Sequence, residues 1–81
     1  MSLPDRPRQH LYVTLPHLRA WRLSRLLSQA ELARRAHLTP ETISHAETGR
    51  QVSVITAGRL ARALRIEREA LLQPPTQAEK P

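Results

Sequence analysis

Residues 39–50 read TPETISHAETGR, and within them Glu41 and His45 stand four apart, the spacing that brings two side chains together on one helix face. A carboxylate beside an imidazole is raw material for acid–base chemistry. No nucleophile constellation accompanies it, so no enzymatic activity is expected. The four histidines, His10, His17, His37 and His45, contain no pair at the i, i+4 spacing of a helical metal site, and no metal or cofactor is expected either. What these residues can do together is offer donors and acceptors. Pro40, Glu41, Ser44, His45 and Thr48 fall on one arc of a helix whose opposite arc carries Ile43 and Ala46, with Glu47 beside them. An arc of small polar side chains can approach a grooved surface without steric conflict.

Such an arc needs a scaffold, and the flanking sequence supplies one. Thr39 is placed to cap the helix, Pro40 to take its first position and Gly49 to end it. Upstream, Ser28-Gln29-Ala30-Glu31 has the form of a capping box. It opens a helix to Ala36 that turns Leu32, Ala33 and Ala36 inward. Before it, Leu18, Trp21, Arg22 and Arg25 mark one helical face, with Pro16 at the first helical position and an end near Leu26. Ser53 or a neighbour begins a fourth helix containing Val54, Ala57, Leu60, Ala61 and Leu64, and a short fifth, Glu67 to Leu72, buries Ile66, Leu71 or Leu72. LYVTL, residues 11–15, alternates as a strand does. No second alternating run offers it a partner, so it is either extended coil or a short strand paired with another copy, and extended coil is preferred. The expected organisation is an extended arm over 1–15, a helical domain over 16–72 and a disordered tail or linker over 73–81.

Composition bounds the class of partner. The 81 residues carry a net charge of +6, from twelve arginines and one lysine against seven acids. An excess of cations draws a protein to polyanions through counterion release. With no cysteine, disulfides and thiolate zinc sites are excluded. No apolar run nears the roughly 18 residues of a membrane span, and MSLPDRPRQH lacks the apolar core of a signal peptide, so a cytoplasmic protein without a membrane partner is expected. Arg59, Arg62, Arg65 and Arg68 form a basic face near the fourth helix, and Arg6 and Arg8 a basic arm.

Between about Leu18 and Leu72 the segments WR, SQAELA, the turn LT, TIS, AETGR, LARAL and EALL, in that order and spacing, resemble the phage-repressor and Cro-like (XRE) helix-turn-helix family. The resemblance implies an all-α, five-helix lambda-repressor-like domain that binds double-stranded operator DNA as a homodimer, with its third helix in the major groove. Carried across, it makes Pro40, Glu41, Ser44 and His45 the base-reading positions. It assigns phosphate contact or positioning to Ser28, Gln29, Thr39, Thr42, Thr48, Arg50 and Gln51. Arg22 and Glu47 become a structural ion pair tying the first helix to the third, which agrees with the cost of an unpaired inward acid. Leu26 and His37 stand where the family often has glycine, so both junctions are expected to be wound differently. Val52 stands where proline is common, predicting a less rigid loop.

These readings converge on a prokaryotic or phage transcription regulator, nucleoid-associated, repressing by occupancy of a near-palindromic site. Two alternatives stand beside it. One is a DNA-binding antitoxin whose arm or tail neutralises a toxin; the other is a helix-turn-helix module that docks onto protein instead of DNA. With 81 residues and no room for a ligand-sensing domain, control is expected from protein concentration, a partner or a further segment.

Overall fold

A computed structural model describes residues 11–75. The elements in order are β1 (Tyr12–Val13), α1 (Leu18–Ser24), α2 (Gln29–Ala36), α3 (Pro40–Glu47), β2 (Val52–Ser53), α4 (Val54–Leu64) and a 3-10 helix (Arg68–Leu72). The domain is therefore broadly all-α, with four α-helices and a two-residue ladder. The expected fifth helix is a 3-10 turn rather than an α-helix. Leu71 is fully buried and the helix gives way to extended backbone at Gln73, while Leu72 points outward at 56% exposure.

Three of the helices, α2, α3 and α4, start where a side chain can satisfy a free amide. Ser28, Thr39 and Ser53 accept from the amides of Glu31, Thr42 and Thr56, three residues on in each case. At Ser28 the box closes in both directions, because the Ser28 amide donates to Glu31 Oε1 at 2.8 Å. The apolar sides then stack α2 against α3 and α4. Trp21, Leu18, Leu32, Ile43, Leu60 and Leu64 fill the centre. Ala33, Ala36, Ala46, Ala57 and Ala61, also buried, let the backbones approach closely. Trp21 closes one end of this core: its Nε1 donates to the carbonyls of Ala70 (3.1 Å) and Gln73 (2.9 Å). Contacts with the core thus reach Gln73, at the start of the expected tail, while residues 1–10 of the arm and 76–81 of the tail lie outside the described residues.

Five further expectations are corrected. Pro16 does not open α1; a turn with Leu18 N–H donating to the Leu15 carbonyl intervenes, and the helix starts at Leu18 behind an uncapped His17. The helix also ends early, at Ser24, since Leu26 turns left-handed at φ 59°. Leu26 and His37 do not rewind their junctions: both take the conformation that glycine would take, His37 at φ 61°. Backbone geometry at the turn outweighs side-chain preference there, because the amides that follow, of Leu27 and Leu38, must reach the carbonyls of Arg22 and Ala33. Finally, LYVTL is not coil and the segment after α3 is not loose. Tyr12 pairs with Ser53 and Val13 with Val52 in an antiparallel ladder, and Val52 is buried. A partner strand of two residues is too short to leave an alternating pattern in the sequence.

Candidate nucleic-acid interface

The side chains of α3 divide as its helical period requires. Ile43 and Ala46 are completely buried against the core. Pro40, Glu41 and His45 are exposed and Ser44 is half-buried, with Thr48, Gly49, Arg50 and Gln51 exposed where the chain leaves the helix. Thr39 and Thr42, one turn apart, are committed locally: their hydroxyls lie 3.0 Å apart and Thr39 Oγ1 accepts from the Thr42 amide. Thr48 likewise donates its hydroxyl to the His45 carbonyl at 2.9 Å. These bonds tie the threonines to the backbone. The groups free to project from the outer arc are Glu41, Ser44 and His45.

Beneath this arc lies the Arg22–Glu47 pair. Arg22 Nε donates to Glu47 Oε2 at 2.6 Å and Nη2 to Oε1 at 3.1 Å, the bidentate arrangement that guanidinium and carboxylate favour. Arg22 Nη1 also donates to the Leu27 carbonyl at 2.9 Å, so one guanidinium joins α1, the α1–α2 turn and α3. Both side chains are nearly enclosed, at 9% and 5% exposure. The hydrogen bonds that Arg22 donates to Glu47 push its pKa above the ordinary value against the opposing effect of burial.

Gln29 joins the same group. Its Nε2 donates to Glu47 Oε1 at 3.0 Å, so the side chain points inward. The capping box engages the amides of Ser28 and Glu31 but not those of Gln29 and Ala30 at the helix N-terminus. Close by, Arg19, Gln29, Ser44 and Thr48 line an open cleft of about 260 Å³ whose floor is the Arg22–Glu47 pair. Arg19 was not among the residues picked out from the sequence. The signal was its place three residues before Arg22, on the same edge of α1.

Elsewhere the arginines near α4 spread over more than one surface. Arg59 and Arg62 join Arg35 and His37 around a hollow of about 310 Å³, at the opposite end of α2 from Gln29. Arg25 instead turns inward to the Leu64 carbonyl at 3.0 Å, its guanidinium 5.2 Å from the centre of the Trp21 ring.

Two helices of eight residues joined by a three-residue turn, the second bearing an exposed polar arc, define a helix-turn-helix protein. The helix-turn-helix family model matches residues 18–71. The chain belongs to the Cro/lambda-repressor-like (XRE) helix-turn-helix family, a family of DNA-binding regulators. Comparison with curated proteins and with solved structures finds no significant match. No helix among the described residues is long and apolar enough to cross a membrane.

Proposed function

We propose that this domain is a sequence-specific double-stranded DNA-binding transcription regulator, a cytoplasmic repressor that acts as a homodimer on a near-palindromic operator. The observation that carries the reading is the outer arc of α3, exposed and polar, fixed from beneath by Ile43, Ala46 and the bidentate Arg22–Glu47 pair. A major groove admits one such helix, with the residues near its N-terminus against the base edges. There the Glu41 carboxylate accepts from cytosine N4, His45 donates to guanine, and the rings and methyls of Pro40 and Thr39 meet thymine methyl groups. Ser44 adds one adaptable hydroxyl.

Orientation comes from the phosphates. The Gln29 side chain is held by Glu47, so Gln29 contributes its backbone amide, together with that of Ala30, as the anion-binding end of α2. Arg19 lies across the adjoining cleft and Arg50 at the exit from α3, each able to meet a phosphate on either side of the groove. Ser28, accepting from the Glu31 amide, fixes the start of α2, the Thr42 amide, donating to Thr39, fixes that of α3, and Gln51 extends the exit segment. Two copies one helical turn apart, about 34 Å, would occlude a site to a polymerase.

Selection of bound sequences from random duplexes tests the reading, with the winners titrated at two salt concentrations. A symmetric consensus, bound with an affinity that falls steeply with salt yet keeps its sequence preference, supports it. Binding that shows no preference, or none at all, overturns it, and a chain captured by protein alone would restore the antitoxin or protein-docking readings.

A further inference from the structure

Ile55, Gly58, Arg59 and Arg62 recur at i, i+3, i+4 and i+7, so they share one face of α4. Ile66, Glu67 and Arg68 meet that face across a hollow of about 560 Å³. Ile55, Arg59, Arg62, Glu67 and Arg68 are exposed, which makes the hollow an open groove rather than a closed pocket. Its two ends differ. Ile55 also lines a hollow of about 230 Å³ that Leu11 and Tyr12 border, with no charged residue. Arg59 and Arg62 also line the hollow of about 310 Å³ that holds Arg35 and His37. The surface thus runs from an apolar end to a cationic one, and Glu67 is the only acid lining it among the described residues. The side chains of Arg35, Arg62 and Arg68 have no hydrogen-bond or ion-pair partner among those residues. Arg59 reaches only the His37 carbonyl, at 3.5 Å.

Gly58 is a second, independent observation. It stands in the interior of α4, where glycine disfavours a helix relative to alanine, and its φ is not left-handed. A Cβ there would meet nothing nearer than Arg68 Cδ at 3.7 Å, an ordinary contact. The fold therefore has room for a side chain that the sequence withholds. What remains is bare helix backbone on the wall of the hollow, which serves something that approaches it closely.

Charge and shape select the occupant. An open groove does not enclose a small molecule as ligand pockets do. A second copy brings a charge of +6 to a cationic surface. The terminal segments MSLPDRPRQH and TQAEKP each hold one acid and at least as many cations, so neither complements it. Nucleic acid phosphates would match the arginines but gain nothing from Val54, Ile55 and Ile66, and no residue of α3 lines the surface.

We propose that this face of α4 docks a partner protein through an acidic, amphipathic segment. Carboxylates of the segment pair with Arg59, Arg62 and Arg68, and its apolar side chains rest on Ile55 and Ile66 beside the bare backbone of Gly58. The surface shares no residue with the cleft of Arg19 and Gln29, and the proposal does not rest on DNA binding.

Selection from a random library of peptides of about twelve residues, presented to the full chain, tests it. The winners should carry several Asp or Glu beside Leu, Ile, Val or aromatic residues. A synthetic winner should bind the wild type with a Kd of about 10 μM by fluorescence anisotropy, and Arg59→Glu combined with Arg68→Glu should weaken it by about 100-fold. Gly58→Gln places an uncharged helix former in the hollow. It should raise Tm by about 4 °C yet weaken the peptide by about 10-fold, a combination that loss of folding does not produce. Winners without acids, winners indifferent to these substitutions, or a selection that returns no consensus overturn the proposal. Duplex DNA whose affinity falls as far with the two arginine substitutions as with Arg50→Ala would assign the face to nucleic acid and overturn it equally. So would self-association that Gly58→Gln abolishes, which would put a second copy there.

Discussion

At the scale of single residues, the Arg22–Glu47 pair is where most energy is at stake. Arg22→Ala leaves a carboxylate 5% exposed with only the Gln29 amide group for company. The expected cost is about 3–5 kcal/mol, much of what a domain this small has in hand. Arg22→Met combined with Glu47→Leu removes both charges and should recover most of that loss, as urea denaturation of the three proteins will measure. Recovery would identify the pair as a specificity device holding α3 in place rather than a net source of stability. Leu26 presents the reverse case. It is 89% exposed and held at φ 59°, so its side chain contributes little packing while its backbone is strained. Leu26→Gly is expected to raise stability by about 1 kcal/mol, seen as a rise in Tm of roughly 4–8 °C. An unchanged or lower Tm would mean that the junction carries no such strain.

At the scale of elements, the capping box ties the stability of α2 to pH. The Ser28 amide, and after it the Ser28 hydroxyl, hold the Glu31 carboxyl below its ordinary value. A carboxyl depressed by folding contributes stability that is fully present above its unfolded pKa of about 4.3 and is lost as pH falls through the lower folded value. The stability difference between wild type and Glu31→Gln should therefore be constant at neutral pH and shrink only on acidification below about pH 4.3, in denaturation curves taken across that range. A difference that vanished already near pH 6 would mean that the Glu31 carboxyl is not the group responsible. The ladder of β1 and β2 acts at this scale too. It fastens the chain ahead of α1 to the segment leaving α3, so the exit residues Thr48 to Gln51 run between two fixed ends.

At the scale of the whole molecule, the charge of +6 and the polar arc make separable contributions to binding DNA. Arg50→Ala should weaken binding nearly equally for all sequences and lower the slope of log affinity against log salt by about 1. His45→Ala should leave the slope alone and relax preference at one base pair, worth about 1–3 kcal/mol. Fluorescence anisotropy over a salt series, on the selected duplex and its single-position variants, distinguishes the two. If both substitutions leave binding untouched, the assignment of α3 as the reading helix is wrong.

How much of this was legible in the sequence follows from the range of the interactions involved. Ser28, Thr39 and Ser53 cap amides three residues away, and Leu32, Ala33 and Ala36, then Ile43 and Ala46, then Ala57, Leu60, Ala61 and Leu64 recur with the helical period within their own helices. Local chemistry of this kind is written in consecutive residues, so the helix-turn-helix and the outer arc of α3 could be read before any fold was known. The strand pairing of Tyr12–Val13 with Val52–Ser53 joins segments about forty residues apart, each too short to advertise itself. The left-handed turns at Leu26 and His37 were likewise set by where the next helix had to go, against the preference of the residues themselves. Gln29 and Arg19 make the same point at the candidate site. Sequence put Gln29 at a helix start, but only packing brought Glu47 within reach of its side chain and opened the cleft that Arg19 lines. What the sequence determined alone is the set of short-range bonds and the face each helix buries. Which exposed groups share a surface was decided by the crossing of those helices, because distances between side chains far apart in the chain exist only once the core has closed.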